Sequence, residues 1–305
     1  MPSSTLTKTT VTVMTGQTSS KLADWFTWSV SGNLSAIVVT LLIALILPVL
    51  IHSYLYRQAV SREAPSILLV GPSGAGKTSL FTLFATSTTP TTHTSQSPHT
   101  TTCQLPSHIR SSSSQFRSEN DSSDRPTFTL TDTPGHGKLR HHAFTLLTAT
   151  PQPKNIIFTV DSAALSSPSG LTEAAEYLHD VLLLLQKRAN SRKGSKGPEE
   201  VRVLVAANKQ DVFTSLPEGV VRKKLEEEIA RVRGGRSSGV VKAGGEEGGA
   251  EDEEGNWLGE FGREGFGFGE VEESGVLVKV VGGNVREGEG EGKVEGWWEW
   301  VGEGL

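Results

Sequence analysis

The sequence predicts a mostly parallel, doubly wound α/β domain preceded by one transmembrane helix, and two observations lead to this prediction. From Trp25 to Tyr56 the chain has no Lys, Arg, Asp or Glu. After that segment, apolar runs rich in β-branched residues alternate with segments of helical spacing, the pattern of a parallel sheet covered by helices. The net charge of −5 gives no general reason to expect direct nucleic-acid binding. The single cysteine, Cys103, excludes an intrachain disulfide and suits a reducing compartment.

The charge-free segment is predicted to cross a membrane at residues 34–56. It supplies the roughly 20 apolar residues that a spanning helix needs. Three alternatives fit less well: a signal peptide would begin nearer the terminus, a buried core helix would be shorter, and an interfacial helix would carry a polar face. Residues 1–33 are then a short tail on one side of the membrane. Residues 57–65 are a polar linker on the other side.

A series of strands and helices is predicted between residue 66 and the end of the chain. The strands are the apolar or alternating runs at 66–70, 127–132, 155–161, 201–208 and 276–281. Helical spacing predicts helices at 77–85, 171–185, 216–234 and 294–301. The segment 86–124 is rich in Ser and Thr, which predicts a loop with one edge strand near Cys103–Ile109. Residues 235–265 are too rich in Gly and Glu to bury a core, which predicts a disordered insertion.

The stretch GPSGAGKT follows the first predicted strand directly and leads into the first predicted helix. It fits the pattern G-x-x-x-x-G-K-[ST], in which backbone N–H groups wrap around phosphates. We expect the lysine to reach the β- and γ-phosphates of a nucleotide and the threonine hydroxyl to bind Mg²⁺. The predicted phosphate-binding residues are Gly71, Pro72, Ser73, Gly74, Ala75, Gly76, Lys77, Thr78 and Ser79.

A second motif, DTPGH at residues 132–136, ends the strand at 127–132. The carboxylate of Asp132 suits a second contact to Mg²⁺, usually through water. The N–H of Gly135 can approach a γ-phosphate because no side chain obstructs the backbone there. Taken alone, D-T-P-G could be an ordinary turn after a strand. Its position after a phosphate-binding loop favours a sensor of the γ-phosphate.

A third motif, NKQD, follows the strand at 201–208 and contains Asn208, Lys209 and Asp211. A carboxylate there can accept hydrogen bonds from the N1–H and N2–H₂ groups of guanine. Adenine lacks this pair of donors, so a polar site built in this way discriminates strongly between the two bases. The stem of Lys209 can cover the face of the base. Because all three motifs end strands of one sheet, they are expected to form a single crevice.

Together these motifs resemble the signature of Ras-like P-loop GTPases. With the N-terminal span, the sequence resembles the family of the beta subunit of the signal recognition particle receptor. The resemblance implies a G domain that binds GTP and Mg²⁺ and hydrolyses GTP slowly. It also implies anchorage in the lipid bilayer of the endoplasmic reticulum and recruitment of the receptor alpha subunit through its N-terminal domain. Ribosomes and the protein-conducting channel would then be further partners.

The resemblance also implies a threonine that contacts Mg²⁺ from the loop after the first helix. The spacing from GKT matches Thr94 to this residue, and the nearby rivals are Thr100, Thr101 and Thr102. The family's base-contacting loop after the last strand corresponds here to VVGGNV at 280–285. We expect the backbone N–H groups of Gly282 and Gly283 to contact guanine O6.

His136 has two interpretations. In the resemblance it orients the water that attacks the γ-phosphate, which makes it a catalytic residue. In the alternative it caps the loop and faces solvent.

The orientation in the membrane follows from the nucleotide and not from charge. Lys8 and Lys21 before the span balance Arg57 and Arg62 after it. Because nucleoside triphosphates are abundant in the cytosol, the domain at 66–305 is expected there, and the 1–33 tail on the non-cytosolic side. Two other functions remain open: a nucleotide-locked membrane scaffold with negligible hydrolysis, and a translation-factor-like GTPase.

Overall fold

The computed structural model describes residues 34–60, 65–89, 91–112, 125–191, 200–243, 257–259, 262, 265–285 and 292–305. The chain divides into two compact units, Met1–Glu63 and Ala64–Leu305. The predicted tail at 1–33 and residues 61–64 of the predicted linker lie outside the described residues.

The first unit contains one long helix, α1, at Leu34–Val60. It begins where the sequence predicts and ends four residues later than the predicted boundary at Tyr56. Its window Ile37–Tyr54 has a mean hydropathy of 2.4, and none of that window is buried. By length and composition, α1 is therefore able to cross a membrane.

The second unit is built on a six-stranded sheet in the order β2-β3-β1-β4-β5-β6. Its strands are β1 Ser66–Val70, β2 His99–Gln104, β3 Thr127–Asp132, β4 Asn155–Asp161, β5 Val201–Asn208 and β6 Val276–Gly282. The edge strand β2 pairs antiparallel with β3, and the other neighbouring strands pair parallel. The predicted doubly wound α/β fold is confirmed.

Helices cover both faces of this sheet. They are α2 Lys77–Thr86, α3 Arg140–Thr148, α4 Pro168–Ser191, α5 Glu218–Ala243, α6 Phe268–Glu272 and α7 Glu295–Glu303, with 3₁₀ turns at Gly137–Leu139 and Ala164–Ser166. Continuous apolar strands such as β4 are buried along almost their whole length, as expected for a parallel sheet with two covered faces.

Each face of the sheet has its own apolar core. On one face, side chains of β4 and β5 pack against α4, α5 and α6. The buried side chains of this core include Ile156 and Phe158 from β4, Leu178 and Leu182 from α4, Leu225 from α5 and Phe268 from α6. On the other face, α2 and α7 meet over β1 and β3, with Leu80, Phe84, Phe128, Trp297 and Trp300 among the buried side chains. Trp298 stacks on Phe84 with 3.8 Å between the ring centroids.

Several predicted boundaries are wrong, among them those of α4, which runs over Pro168–Ser191 where the sequence predicts 171–185. The edge strand predicted near Cys103–Ile109 is instead β2, which begins at His99, because the polar run of threonines there pairs with β3. The helix predicted to end at Gly234 continues as α5 to Ala243. A glycine inside a helix costs only about 1 kcal/mol relative to alanine, so the pair Gly234 and Gly235 lowers the stability of the helix without ending it.

Part of the segment 235–265, predicted as a disordered insertion, is ordered. Its first residues belong to α5, and Leu258 is fully buried in the core beneath α4 and α5. The buried guanidinium of Arg233 donates to the carbonyl oxygens of Leu258 and Gly265, which ties the returning chain to α5. Residues 244–256 lie outside the described residues.

Trp297 is the clearest test of the core under α7. Its side chain is fully buried, and its indole N–H donates to the carbonyl oxygen of Val281 at 3.0 Å. We expect Trp297→Ala to lower the free energy of unfolding by about 3–5 kcal/mol, because it leaves a cavity and an unpaired acceptor. Glu299→Ala on the exposed face of α7 is the control and should change it by less than about 0.5 kcal/mol. Urea denaturation of both variants measures the difference, and equal unfolding midpoints would contradict this packing.

Candidate nucleotide-binding cleft

A two-lobed cleft opens at the carboxyl ends of the parallel strands, where open α/β sheets bind ligands. A narrow lobe of about 280 Å³ lies over the start of α2. A wide lobe of about 590 Å³ lies beside the loop after β5. The two lobes share Gly76, Ser79, Thr92 and Lys209, so they form one continuous crevice.

The loop between β1 and α2 forms the floor of the narrow lobe. Of the predicted phosphate-binding residues, Ser73, Gly74, Gly76, Lys77, Thr78 and Ser79 line it. Gly71, Pro72 and Ala75 are buried beneath and contribute backbone carbonyl groups. The first residues of α2, Lys77, Thr78 and Ser79, line this lobe, so the lobe lies at a helix N-terminus, a position that favours anions.

Gly76 shows why this loop requires glycine. Its φ is +94°, in the left-handed region that favours glycine, and a Cβ there would clash with the side-chain amide of Asn208. That amide donates to the carbonyl oxygen of Ala75 at 2.8 Å, while the Asn208 Oδ1 accepts from the N–H of Val285 at 3.1 Å. Asn208 therefore ties the phosphate-binding loop to the loop after β6.

Lys77 is the buried cation of the narrow lobe. Its Nζ donates to the carbonyl oxygens of Gly71 and Pro72 at 2.9 and 2.8 Å, and the residue is only 6% exposed. Burial lowers the pKa of its ammonium group to about 8, although the neighbouring Asp132 carboxylate acts in the opposite direction. The free loop thus holds a cation that Asp132 compensates only in part, and a bound polyphosphate would stabilise it.

Asp132 lies at the end of β3, opposite the start of α2. Its Oδ2 accepts a hydrogen bond of 2.8 Å from the hydroxyl of Thr78. Its Oδ1 is buried and has no hydrogen-bond partner among the described residues. Burial raises the pKa of this carboxyl, and the hydroxyl of Thr78 and the charge of Lys77 offset only part of that rise. A hydroxyl beside a carboxylate with one unpartnered oxygen is a set of oxygen ligands that fits Mg²⁺ with its bound water.

The turn after β3 closes one side of the narrow lobe. The buried hydroxyl of Thr133 donates to the carbonyl oxygen of Leu69 at 2.6 Å and so fixes the turn to β1. Gly135 lines the lobe, and a Cβ there would clash with Lys77 Nζ and with the backbone of the phosphate-binding loop. Position 135 therefore requires glycine, and the approach of its N–H to a γ-phosphate stays a prediction.

Residues 92–95, in the loop after α2, also line the narrow lobe. Thr94 lines that lobe. The rivals Thr100, Thr101 and Thr102 belong to β2, and the hydroxyl of Thr100 is 3.0 Å from that of Thr131. Of the four candidates, Thr94 is thus the one that lines the narrow lobe, and its contact with Mg²⁺ stays a prediction.

His136 is exposed and lies outside the lining of the narrow lobe. Its Nδ1 accepts from the N–H of Lys138 at 3.4 Å, so it caps the 3₁₀ turn at Gly137–Leu139. This geometry corresponds to the capping alternative, and the catalytic role of His136 stays a prediction.

The wide lobe contains the predicted base-reading residues. Asn208, Lys209 and Asp211 line it together with Val212 and Val285. Asn208 is buried, whereas the carboxylate of Asp211 is exposed to the lobe. The wide lobe thus combines a carboxylate and a lysine side chain with two valines, a lining that suits a planar base with N–H donors.

Gly282 and Gly283 do not occupy the positions that the sequence predicts. The N–H of Gly282 donates to Glu218 Oε2 at 3.1 Å, and that of Gly283 donates to the carbonyl oxygen of Ala207 at 2.9 Å. Neither lines the cleft, because β6 continues to Gly282 and keeps both residues engaged with β5 and α5. Val285, further along the same loop, reaches the wide lobe instead.

Sequence reasoning also missed Thr92, which lines both lobes and whose Oγ1 is 2.9 Å from Ser79 Oγ. It lies in a loop whose many threonines carry no periodic signal, so no sequence pattern distinguishes it from its neighbours. Val285 had a weak signal, since it follows the last strand in the VVGGNV segment.

The fold and this cleft define a P-loop GTPase domain. The family model of the signal recognition particle receptor beta subunit matches residues 62–274. The chain belongs to this family.

Individual relatives agree with that assignment. The chain is 33% identical to the signal recognition particle receptor subunit beta of Saccharomyces cerevisiae over 169 residues, which cover 55% of this chain and 57% of the relative. The human relative is 28% identical over 201 residues, covering 66% of this chain and 63% of the relative. The chain thus spans less than two thirds of the length of these curated relatives.

Two solved structures match this chain over almost their whole length. The SRb-GTP/SRX complex of the signal recognition particle receptor from Chaetomium thermophilum is 35% identical with a TM-score of 0.62, covering 78% of this chain and 99% of that one. The SRb-GDP-Mg structure from the same organism is 37% identical with a TM-score of 0.56, covering 79% of this chain and 98% of that one.

The buried Lys77 predicts that nucleotide binding depends on pH. Phosphate binding must raise the pKa of Lys77 above about 8, so the complex holds more protons than the free protein above that pH. Affinity for GTP at constant Mg²⁺ should therefore be highest below pH 8 and fall about tenfold between pH 7 and 9. Lys77→Arg is the control, because a guanidinium keeps its proton over this pH range. Any fall in GTP affinity that this variant still shows is caused by titration of the nucleotide. Calorimetric affinities that stay constant over this range would contradict the prediction.

Proposed function

We propose that this chain is a membrane-anchored regulatory GTPase that binds GTP with Mg²⁺ and recruits the receptor alpha subunit to the endoplasmic reticulum. In this role the protein changes its affinity for a partner according to the nucleotide it holds. The observation that carries the proposal is the presence in one cleft of Lys77 and Thr78, which line the narrow lobe, and of Asp211, which lines the wide lobe. The buried Asp132 lies next to the narrow lobe and accepts a hydrogen bond from Thr78.

The narrow lobe supports binding of a triphosphate. Lys77 would exchange its two carbonyl acceptors for oxygens of the β- and γ-phosphates, which is favourable because those oxygens are charged. Thr78, Thr94 and, through water, Asp132 would hold Mg²⁺, which would neutralise part of the phosphate charge. The unpartnered Oδ1 of Asp132 is available for such a water.

The wide lobe supports a preference for guanine. Asp211 would accept from the N1–H and N2–H₂ groups of the base, and Lys209 would cover one face of it. Adenine would leave the carboxylate without donors, which costs affinity in a partly closed site. The predicted contact from Gly282 to the base is not part of the proposal.

Slow hydrolysis of GTP to GDP and phosphate is the proposed reaction. The N–H of Gly135 would donate to the γ-phosphate, where its position against Lys77 supports a close approach. His136 would have to leave its cap on the 3₁₀ turn to orient a water molecule. If the cap persists when GTP is bound, hydrolysis is negligible and the protein acts as the nucleotide-locked scaffold.

The proposed partner is inferred from the family to which the chain belongs, and the proposed membrane anchorage is inferred from α1. The similar SRb-GTP/SRX complex from Chaetomium thermophilum contains a GTP-loaded relative together with SRX. We propose that this chain likewise binds the N-terminal domain of an alpha subunit, and that α1 anchors it with the domain in the cytosol. Ribosomes and the protein-conducting channel would meet the complex at that membrane. The helix α1 favours a membrane-anchored GTPase over the translation-factor-like alternative.

A switch of this kind predicts that partner affinity depends on the nucleotide. Binding the γ-phosphate and Mg²⁺ would order the loops at 91–95 and 133–139, which is how GTPases present a surface to a partner. In nanodiscs, the full chain loaded with a non-hydrolysable GTP analogue should bind the N-terminal domain of the alpha subunit at least about tenfold more tightly than with GDP, a coupling of about 1.4 kcal/mol. Titration by biolayer interferometry measures both affinities.

Asp211→Asn provides the matched control for this experiment. Xanthine has a carbonyl where guanine has N2–H₂, and an asparagine can donate to it. The variant should therefore lose the response to the GTP analogue and recover it with the corresponding xanthosine analogue. Equal partner affinity in the GTP and GDP states would contradict the proposed switch and leave a constitutive anchor.

A further inference from the structure

The turn after β4 holds the base-reading loop at three points. The N–H of Ser162 donates to the carbonyl oxygen of Asn208 at 3.0 Å, and Gln210 Nε2 donates to Ser162 Oγ at 3.2 Å. Between them, Lys209 Nζ donates to Asp161 Oδ2 at 2.5 Å. The motif NKQD is therefore fixed from a neighbouring strand that contributes no residue to the lining of either lobe.

Asp161 is itself held rigidly. Its Oδ1 accepts from the N–H groups of Ala163 and Ala164 at 2.9 and 3.1 Å. One carboxylate oxygen is thus bound to the backbone of its own turn, and the other is directed at Lys209. The Asp161 side chain is 20% exposed, so this ion pair is partly shielded from solvent.

Lys209 is held in an uncommon backbone conformation. Its φ is +63°, in the left-handed region that few residues with a Cβ adopt. Its side chain lines both lobes, so its stem lies at their junction. Because the ammonium group is paired with Asp161, the methylene stem is the part of the side chain that is left to contact a ligand.

We propose that Asp161 is a positioning residue of the guanine site, which fixes Lys209 so that its stem covers the base. The inference rests on the proposed binding of GTP and adds a residue outside NKQD to it. Asp161 touches no part of the nucleotide and acts through Lys209 alone. Its removal should weaken recognition of the base and leave recognition of the phosphates unchanged.

The test is Asp161→Asn in the full chain. An asparagine keeps an oxygen that can accept from Ala163 and Ala164, so the turn is preserved while the charge facing Lys209 is lost. We expect the affinity for Mg²⁺-GTP to fall about threefold to tenfold, given the usual strength of partly exposed ion pairs. The affinity for Mg²⁺-tripolyphosphate, which has no base, should stay within about twofold of the wild type. Calorimetry, with competition for the weaker ligand, measures both.

A double-mutant cycle tests whether Asp161 acts through Lys209. Lys209→Met keeps the apolar stem without the ammonium, so Asp161→Asn should have no further effect in that background. Asp180→Asn is the matched control, because Asp180 is also a partly exposed aspartate in an ion pair, with Arg236, and lies on α4 outside the cleft lining. It should leave both affinities unchanged.

The remaining outcomes separate failure of the proposed guanine site from failure of the inference about Asp161. If the wild type binds tripolyphosphate but shows no preference for GTP over ATP, the proposed guanine site fails and the inference fails with it. If the wild type prefers GTP and Asp161→Asn binds it equally well, the inference alone is wrong. Equal losses for GTP and tripolyphosphate, or additive losses in the cycle, would also overturn it, because both indicate general damage to the loop.

Discussion

The structure depends on one buried ammonium group held at the start of a helix. Lys77 donates to two carbonyl groups of its own loop, and burial lowers the pKa of its side chain to about 8. An ion in such surroundings is stabilised only by close acceptors, and the neighbouring carboxylate of Asp132 is shared with Thr78. The loop is therefore folded without a ligand, but the positive charge of Lys77 is only partly compensated. In the proposed function, a bound polyphosphate would supply the missing negative charge.

The rest of the cleft is assembled by contacts between strand ends. Asn208 joins the phosphate-binding loop to the loop after β6, Thr133 joins the turn after β3 to β1, and Asp161 joins β4 to Lys209. Each contact crosses from one parallel strand to another at the same edge of the sheet. In the proposed function, these contacts would link the loop that holds the phosphates to the loops that hold the base.

Sequence alone predicted the parts of the site that are local. GPSGAGKT lies on a strand, a loop and a helix start that follow each other in the chain, so its geometry follows from the motif. The structure departs from prediction where strand register or distant packing decides. Strand β6 continues to Gly282, whose N–H donates to Glu218, and the loop residue that lines the wide lobe is Val285. Helix α5 passes through Gly234 and Gly235 because Arg233 and Leu258 secure it from outside the helix.

The affinity of the Lys77→Ala variant for GTP tests the central claim most directly. Each charge-assisted hydrogen bond contributes about 1.5–3 kcal/mol, so losing two of them should weaken Mg²⁺-GTP binding by calorimetry at least about 100-fold. Lys154→Ala removes an exposed lysine before β4, at the opposite edge of the sheet, and controls for the loss of charge. It should bind GTP like the wild type. Unchanged GTP affinity in Lys77→Ala would contradict the account, because the buried ammonium group would then have no part in holding the phosphates.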